Sequence, residues 1–365
     1  MRIRTFRTGL LRIPLRTPFK TALRTVESIE DAVIRFETDC GFFGYGEAPP
    51  TVAITGDSLD GILYALQNRL GPALVGRDVR DIAVNCAIVQ NALPKNTSAK
   101  AAAEIALYDL YAQSRALPLY AALGGGIPRL TTDLTISVND TATMIADCET
   151  AIGRGFTALK IKVGKQPEED VDRLRAIHHA VAGRAILRID ANQGWSADQT
   201  IAVLRTLDAA GLDFDLIEQP VPAGDMAGMQ AIRASRSRIP LMADESAFNL
   251  DQVKALHAAS AADIINIKLM KAGGLSNAMA IADFCAGHNM ECMMGCMLEG
   301  AISAAAAAHL AIARCDVITR IDLDGPSLGS FDPIDGNVHF DDAVISVSGR
   351  SGLGIHAPAN ITWFE

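Results

Sequence analysis

The sequence has no long uninterrupted apolar run, and no stretch of it reaches membrane-spanning length. It has no excess of positive charge: 33 Lys and Arg stand against 42 Asp and Glu, a formal net charge of −9. A field of that sign argues against nucleic acid or an anionic membrane as a partner. Gly and Pro are not concentrated anywhere and charged residues make up 21%, so disorder is not expected. There is no cysteine framework either. Seven Cys sit at irregular positions, and although Cys292 and Cys296 have the spacing of half a zinc site, no second Cys/His pair follows. Reduced core thiols in a cytoplasmic enzyme are the expectation.

What is present is enough apolar material, 49% of 365 residues, for one large core and a smaller second one. Residues 1–26 carry seven basic residues and no acid, a faint transit-peptide signal. Alternation and the prolines Pro14 and Pro18 favour a strand and a loop, so the segment reads as part of the fold. Ala32–Glu37 has strand character, a Gly-rich turn follows, and Ala101–Ala112 has helical spacing. Leu123-Gly-Gly-Gly126 then breaks the chain.

From about residue 130 the pattern is regular. Eight short apolar runs (134–138, 158–163, 185–189, 215–217, 241–243, 264–267, 292–294 and 317–321) alternate with amphipathic segments. That is the signature of βα units around a parallel sheet. A (β/α)8 barrel takes about 250 residues, so roughly a hundred remain for another domain. The expected division is an α+β capping domain over 1–125, a barrel over 126–325, and a segment 326–365 returning to the cap.

Ionisable residues end these runs in step: Lys160 and Lys162, Asp190, Glu218, Asp244, Lys268, then Asp322 and Asp324. From Lys162 the intervals are 28, 28, 26 and 24 residues, and the next, 54, spans about two units. In such a barrel the C-terminal strand ends converge on the active site. Singly, each Asp is better explained as a helix cap or a turn former. Six in register point to a catalytic set.

Charge and geometry suggest roles. Asp190, Glu218 and Asp244 form an oxygen-rich group suited to Mg²⁺. Lys160 and Lys162, two apart on a strand, face the same way. Lys268 arrives from the sixth strand, opposite the second. A lysine on each face of a carbon acid is what reversible two-base proton transfer requires. A neutral lysine at pH 7 needs its pKa lowered by roughly 3 units; a neighbouring ammonium and a metal cation both act in that direction, which places Lys160 in the catalytic set as an electrostatic helper.

Lys160-Ile-Lys162, Asp190-Ala-Asn192, Glu218-Gln-Pro220, Ala243-Asp-Glu-Ser246 and Asn266-Ile-Lys268 with Gly273-Gly274 resemble the enolase superfamily, in its muconate-lactonising subgroup. The resemblance covers nearly the whole chain. It implies an enolase-like modified TIM barrel with an N-terminal α+β cap. It also implies Mg²⁺ on Asp190, Glu218 and Asp244, with Lys162 and Lys268 as acid and base around an enediolate. The run Met293-Met-Gly-Cys-Met-Leu-Glu299 lacks the His that mandelate-racemase-like members carry. Phe19-Lys-Thr-Ala-Leu-Arg-Thr25, Gly46-Glu-Ala-Pro-Pro-Thr51, Ile54-Thr-Gly-Asp57 and Asp322-Leu-Asp324 look like the dipeptide epimerases acting on L-Ala-D/L-Glu. That narrower likeness assigns Asp322 and Asp324 to the substrate ammonium and Arg24 to the Glu side chain; Met297 is a candidate for the pocket of the Ala methyl, with a place in the core as its other reading. It implies an isomerase of murein peptide recycling, with a dipeptide substrate and a homo-oligomeric state.

Rivals within the superfamily are N-succinylamino acid racemase, o-succinylbenzoate synthase and cycloisomerases. Their anionic substrates bear no ammonium and would be repelled by Asp322 and Asp324. A Schiff-base aldolase needs a strand-end Lys but not three carboxylates. A non-catalytic binding protein has no use for two bases. Asn192 and Glu245 fit partners of the metal ligands as well as turn residues.

Overall fold

The computed structural model describes residues 1–20, 25–164, 166–334, 336, 338–355 and 358–364. The chain opens with β1 (Ile3–Lys20), β2 (Thr25–Thr38) and β3 (Phe43–Ala48), which pair antiparallel, Val33 lying opposite Gly9 and Glu47. The turn between β2 and β3 is held by Thr38, whose hydroxyl accepts the Phe42 amide at 2.9 Å. The buried helix Thr97–Ser114 packs on β3. Its small alanine face and the glycines of β3 go together: a Cβ on Gly46 would run into the Ala102 carbonyl. Strand and helix therefore approach closer than side chains allow.

After β4 (Arg129–Thr131) come eight parallel strands. They are β5 (Leu134–Ile136), β6 (Ala158–Lys162), β7 (Ile186–Asp190), β8 (Ile217–Glu218), β9 (Leu241–Ala243), β10 (Ile264–Lys268), β11 (Glu291–Gly295) and β12 (Ile318–Asp322). Their spatial order follows the chain from β5 to β12. The first and last strands are stitched by the Asp133 amide donating to the Ile321 carbonyl at 3.1 Å, and by Leu323 N–H donating to Thr132 Oγ1 at 2.9 Å. All eight expected runs are strands, within a residue or two of their sequence boundaries. The barrel is the expected enolase-like α/β architecture.

The helices that return the chain are started by local chemistry. Ser196 with Gln199 and Asn249 with Gln252 form capping boxes, and Asp140 and Asp225 cap their own helices. Inside the barrel, Leu216, Met242, Ile264 and Met293 form an apolar cluster separate from the main core. Beside it Arg188 donates to Asp133 at 2.6 Å and to Asp215 at 2.9 Å, and Arg320 also binds Asp215 at 2.9 Å.

The C-terminal segment is divided between two sheets. β13 (Val338–Asp341) pairs with β14 (Val344–Val347) and β14 with β4, while β15 (Ile361–Trp363) adds to β1 at the edge of the cap sheet. Among the described residues no helix is long and apolar enough to cross a membrane.

Candidate active site

Parallel register places the strand-end residues level with one another. Lys162 lies opposite Asp190 and Asp190 opposite Glu218, while Lys268 lies opposite Gly295 and Gly295 opposite Asp322. All are buried. Asp244 follows β9 directly, and its amide is fixed by donating to Gln219 Oε1 at 2.9 Å.

Three carboxylates on successive strands, Asp190, Glu218 and Asp244, are flanked in this ring by Lys162 and Lys268. Lys162 Nζ donates to Asp190 Oδ2 at 2.6 Å and to Asn192 Oδ1 at 2.8 Å. Lys268 Nζ donates to Asp244 Oδ2 at 2.8 Å. Lys160 binds Asp322 and stands 4.0 Å from Asp190 and 3.9 Å from Glu218. Its role is thus a charge partner of the carboxylates, two residues behind Lys162. Asn266 Nδ2 donates to Glu218 Oε1 at 2.8 Å, leaving Glu218 Oε2 buried with no hydrogen-bond partner.

The electrostatics follow from burial. Desolvation, then the charges of Asp190 and Asp244, raise the Glu218 carboxyl well above the usual range. Glu245, beside Asp244, is pushed up to about 7 by burial and by that neighbour. Burial disfavours the ammonium of Lys268, but Asp244 and Glu218 outweigh it and raise its pKa. Lys160 is likewise raised: burial opposes its charge, and Asp322, Glu218, Asp190 and Asp133 together overcome it. The sequence argument expects lowered lysines. At Lys160 and Lys268 the surrounding carboxylates act the other way, because their summed charge exceeds what burial alone imposes.

Two groups near the metal candidates escaped sequence reading. Lys271, one turn past Lys268 in the short helix Leu269–Ala272, is fully buried and donates to Asp244 Oδ1 and to the Asp244 carbonyl, both at 2.5 Å. The Lys-Leu-Met-Lys spacing was its only signal. Asn266 stood within a recognised motif, and only the barrel shows that it faces Glu218.

Whether Asp190, Glu218 and Asp244 suit a divalent cation can be judged from their own chemistry. They present oxygen only, from adjacent strands, with one carboxylate oxygen orphaned in a buried place. Both features fit Mg²⁺. As the side chains lie, no three His, Cys, Asp or Glu among the described residues are gathered to grip an ion, because Asp190 and Asp244 are turned to lysines. The donor set fits the ion.

A cavity of about 90 Å³ opens over this ring. Lys160, Lys162, Lys268, Asp322, Asp324 and Met297 line it, and Thr51 and Ile54 of the cap close it from above. Asp324 Oδ2 accepts the Thr135 amide at 2.8 Å, and its carboxyl is raised by burial and by Asp322. Arg320, two residues before Asp322, pairs with Asp215 and Glu291 and neutralises neither Asp322 nor Asp324. Arg24 lies outside the described residues. Cys292 packs on Cys285, and none of the seven cysteines is in a disulfide.

Residues 5–124 match the mandelate racemase/muconate lactonizing enzyme N-terminal domain, and residues 143–360 match the enolase C-terminal domain-like family. The chain belongs to the mandelate racemase/muconate lactonizing enzyme family. Within it, an L-Ala-D/L-Glu epimerase of Clostridium acetobutylicum is 44% identical over 96% of this chain and 98% of its own. The substrate-liganded L-Ala-D/L-Glu epimerase of Bacillus subtilis superposes with a TM-score of 0.96 at 42% identity, over 98% of this chain and all of that one. A dipeptide epimerase of Enterococcus faecalis, complexed with Mg and L-Leu-L-Tyr, superposes with a TM-score of 0.93 at 35% identity, over 99% and 100%.

Proposed function

We propose that the protein epimerises a dipeptide at the α-carbon of its C-terminal residue, with L-Ala-D/L-Glu as substrate. The observation that carries this reading is Asp324, a buried carboxylate in the mouth that is hydrogen-bonded by the amide and side chain of Thr135 and, among the described residues, by no cation, next to an Asp322 already matched by Lys160. A carboxylate so placed calls for a cation from the ligand, and a free α-ammonium supplies it. The epimerase relatives on L-Ala-D/L-Glu support the choice of dipeptide.

Asp190, Glu218 and Asp244 would hold Mg²⁺. When bound, the ion would supply Lewis-acid stabilisation of the charge that develops on the substrate carboxylate, and would offset the carboxylates that raise Lys160 and Lys268. Lys162 and Lys268, on the second and sixth barrel strands, take and return the α-proton from opposite faces. Lys160 anchors Asp322. Met297 bounds the pocket for the Ala methyl, and Arg24 from the cap clamps the Glu carboxylate, where its planar fork suits two-point contact. We further assign the protein to a cytoplasmic homo-oligomer acting in peptidoglycan recycling; seven free thiols are compatible with a reducing compartment.

The test is incubation of the purified protein with Mg²⁺ and L-Ala-L-Glu in D₂O, followed by mass spectrometry and chiral analysis. One deuteron incorporated with formation of L-Ala-D-Glu is expected. Turnover of N-succinylamino acids and not of free dipeptides would replace this reading with the racemase one.

A further inference from the structure

Two barrel helices begin at a glycine, which brings no capping side chain of its own. Leu275–Gly287 starts from Gly274 and Ala301–Ala313 from Gly300, and a glycine has nothing to offer the free N–H groups of the first turn. The cap supplies what they lack. Glu47, at the end of β3, accepts the Ile302 amide at 2.9 Å and the Ser303 amide at 3.0 Å, and Asp31 on β2 accepts the Gly300 amide at 2.9 Å. Glu104, in the cap helix, accepts the Ser276 amide at 2.8 Å and its hydroxyl at 2.7 Å.

Glycine at these positions is a steric requirement. A Cβ on Gly300 would collide with the Glu47 carboxylate, and one on Gly274 with that of Glu104. Glu47 and Asp31 are buried, each with one oxygen that no N–H reaches. The two carboxyls lie together, and burial raises both above the usual carboxylate range.

The helix capped by Glu47 follows β11, and the segment between them carries Met297 and Leu298 into the cavity. Thr51 and Ile54, a few residues past Glu47, line the same cavity from the cap. Glu47 thus ties the two walls of the pocket together. We propose that Glu47 is a positioning residue: by capping Ala301–Ala313 from the cap, it holds the Met297 segment against the cap and sets the dimensions of the substrate pocket. The inference rests on the dipeptide reading above for what the pocket holds.

The test separates positioning from simple helix stabilisation. Glu47→Ala should lower the melting temperature, speed amide exchange at Ile302 and Ser303, and raise KM for L-Ala-L-Glu about tenfold with kcat within threefold. Glu47→Gln, which keeps an acceptor, should stay near wild type. The double variant Glu47→Ala/Gly300→Ser gives the helix a local cap without the tie to the cap. It should regain melting temperature while KM stays high. If KM recovers with the melting temperature, Glu47 is a structural cap only and the proposal is overturned. It is equally overturned if Glu47→Ala loses amide protection with KM unchanged. Should Glu47→Ala not fold, Glu47→Asp, one methylene shorter, is expected to show the same split on a smaller scale, and equal KM there refutes it. A wild-type protein that turns over no dipeptide overturns the substrate reading and not the capping, which amide exchange reads without substrate.

Discussion

Replacing Asp324 by Asn isolates the contact on which the substrate assignment depends. The asparagine oxygen can still accept the Thr135 amide that Asp324 Oδ2 now holds at 2.8 Å, so local structure is kept and one charge is removed. Asp322 is a poorer target, since its loss strands the buried Lys160. Asp324 is 5% exposed, so an ammonium bound to it is largely removed from water. A hydrogen bond to a charged group in such a place contributes about 1.5–3 kcal/mol, or roughly 10- to 150-fold in kcat/KM. The assay is α-proton exchange in D₂O, followed by NMR, for L-Ala-L-Glu and its N-acetyl derivative with both proteins. Those four rates form a cycle. Asp324→Asn should slow the free dipeptide by that factor and leave the N-acetyl compound, already slow, unchanged. Equal losses for both substrates would place Asp324 in the scaffold. Equal wild-type rates for both would refute ammonium recognition and return the N-succinylamino acid reading.

Three other outcomes are expected. Lys162→Ala and Lys268→Ala should each stop epimerisation, a loss of about 10²- to 10⁴-fold, while each variant still exchanges the α-proton of one epimer; exchange of both epimers by either variant at wild-type rate would exclude two bases. Exhaustive chelation should abolish turnover and Mg²⁺ restore it, and titration calorimetry should find no Mg²⁺ binding by Glu218→Gln. His309 is buried, accepts the Tyr120 amide at 2.9 Å, and is held down at about 3 by burial. Between pH 6.5 and 3 the unfolded chain therefore binds a proton at this site that the folded chain refuses. Its contribution is intact above pH 6.5 and falls with pH by about 2 kcal/mol at pH 5. Denaturant unfolding at pH 7 and pH 5 should show that much less acid sensitivity in His309→Gln than in wild type.

Repetition made the barrel legible from the chain alone. A βα unit has a nearly constant length, so Lys162, Asp190, Glu218, Asp244 and Lys268 fall at intervals of 28, 28, 26 and 24 residues, and each needs only its own strand to be placed. The capped starts at Ser196 and Asn249 are equally local, because donor and acceptor lie three residues apart. Partnerships were another matter. That Lys160 binds Asp322, 162 residues on, follows from barrel closure. That Arg320, on the same face of β12 as Asp322 but two residues nearer the strand's start, turns to Asp215 depends on which layer of the closed barrel it reaches. The lysine pKa directions depend on how many carboxylates the closed ring brings together, which spacing does not count. Glu47 and Ser303 are 256 residues apart and join only when the cap lies on the barrel. Glycine at 274 and 300 looks, in the chain, like a weak helix start. Only the folded molecule shows the carboxylates that fill those gaps, because a cap supplied by another domain leaves no mark at the helix it serves.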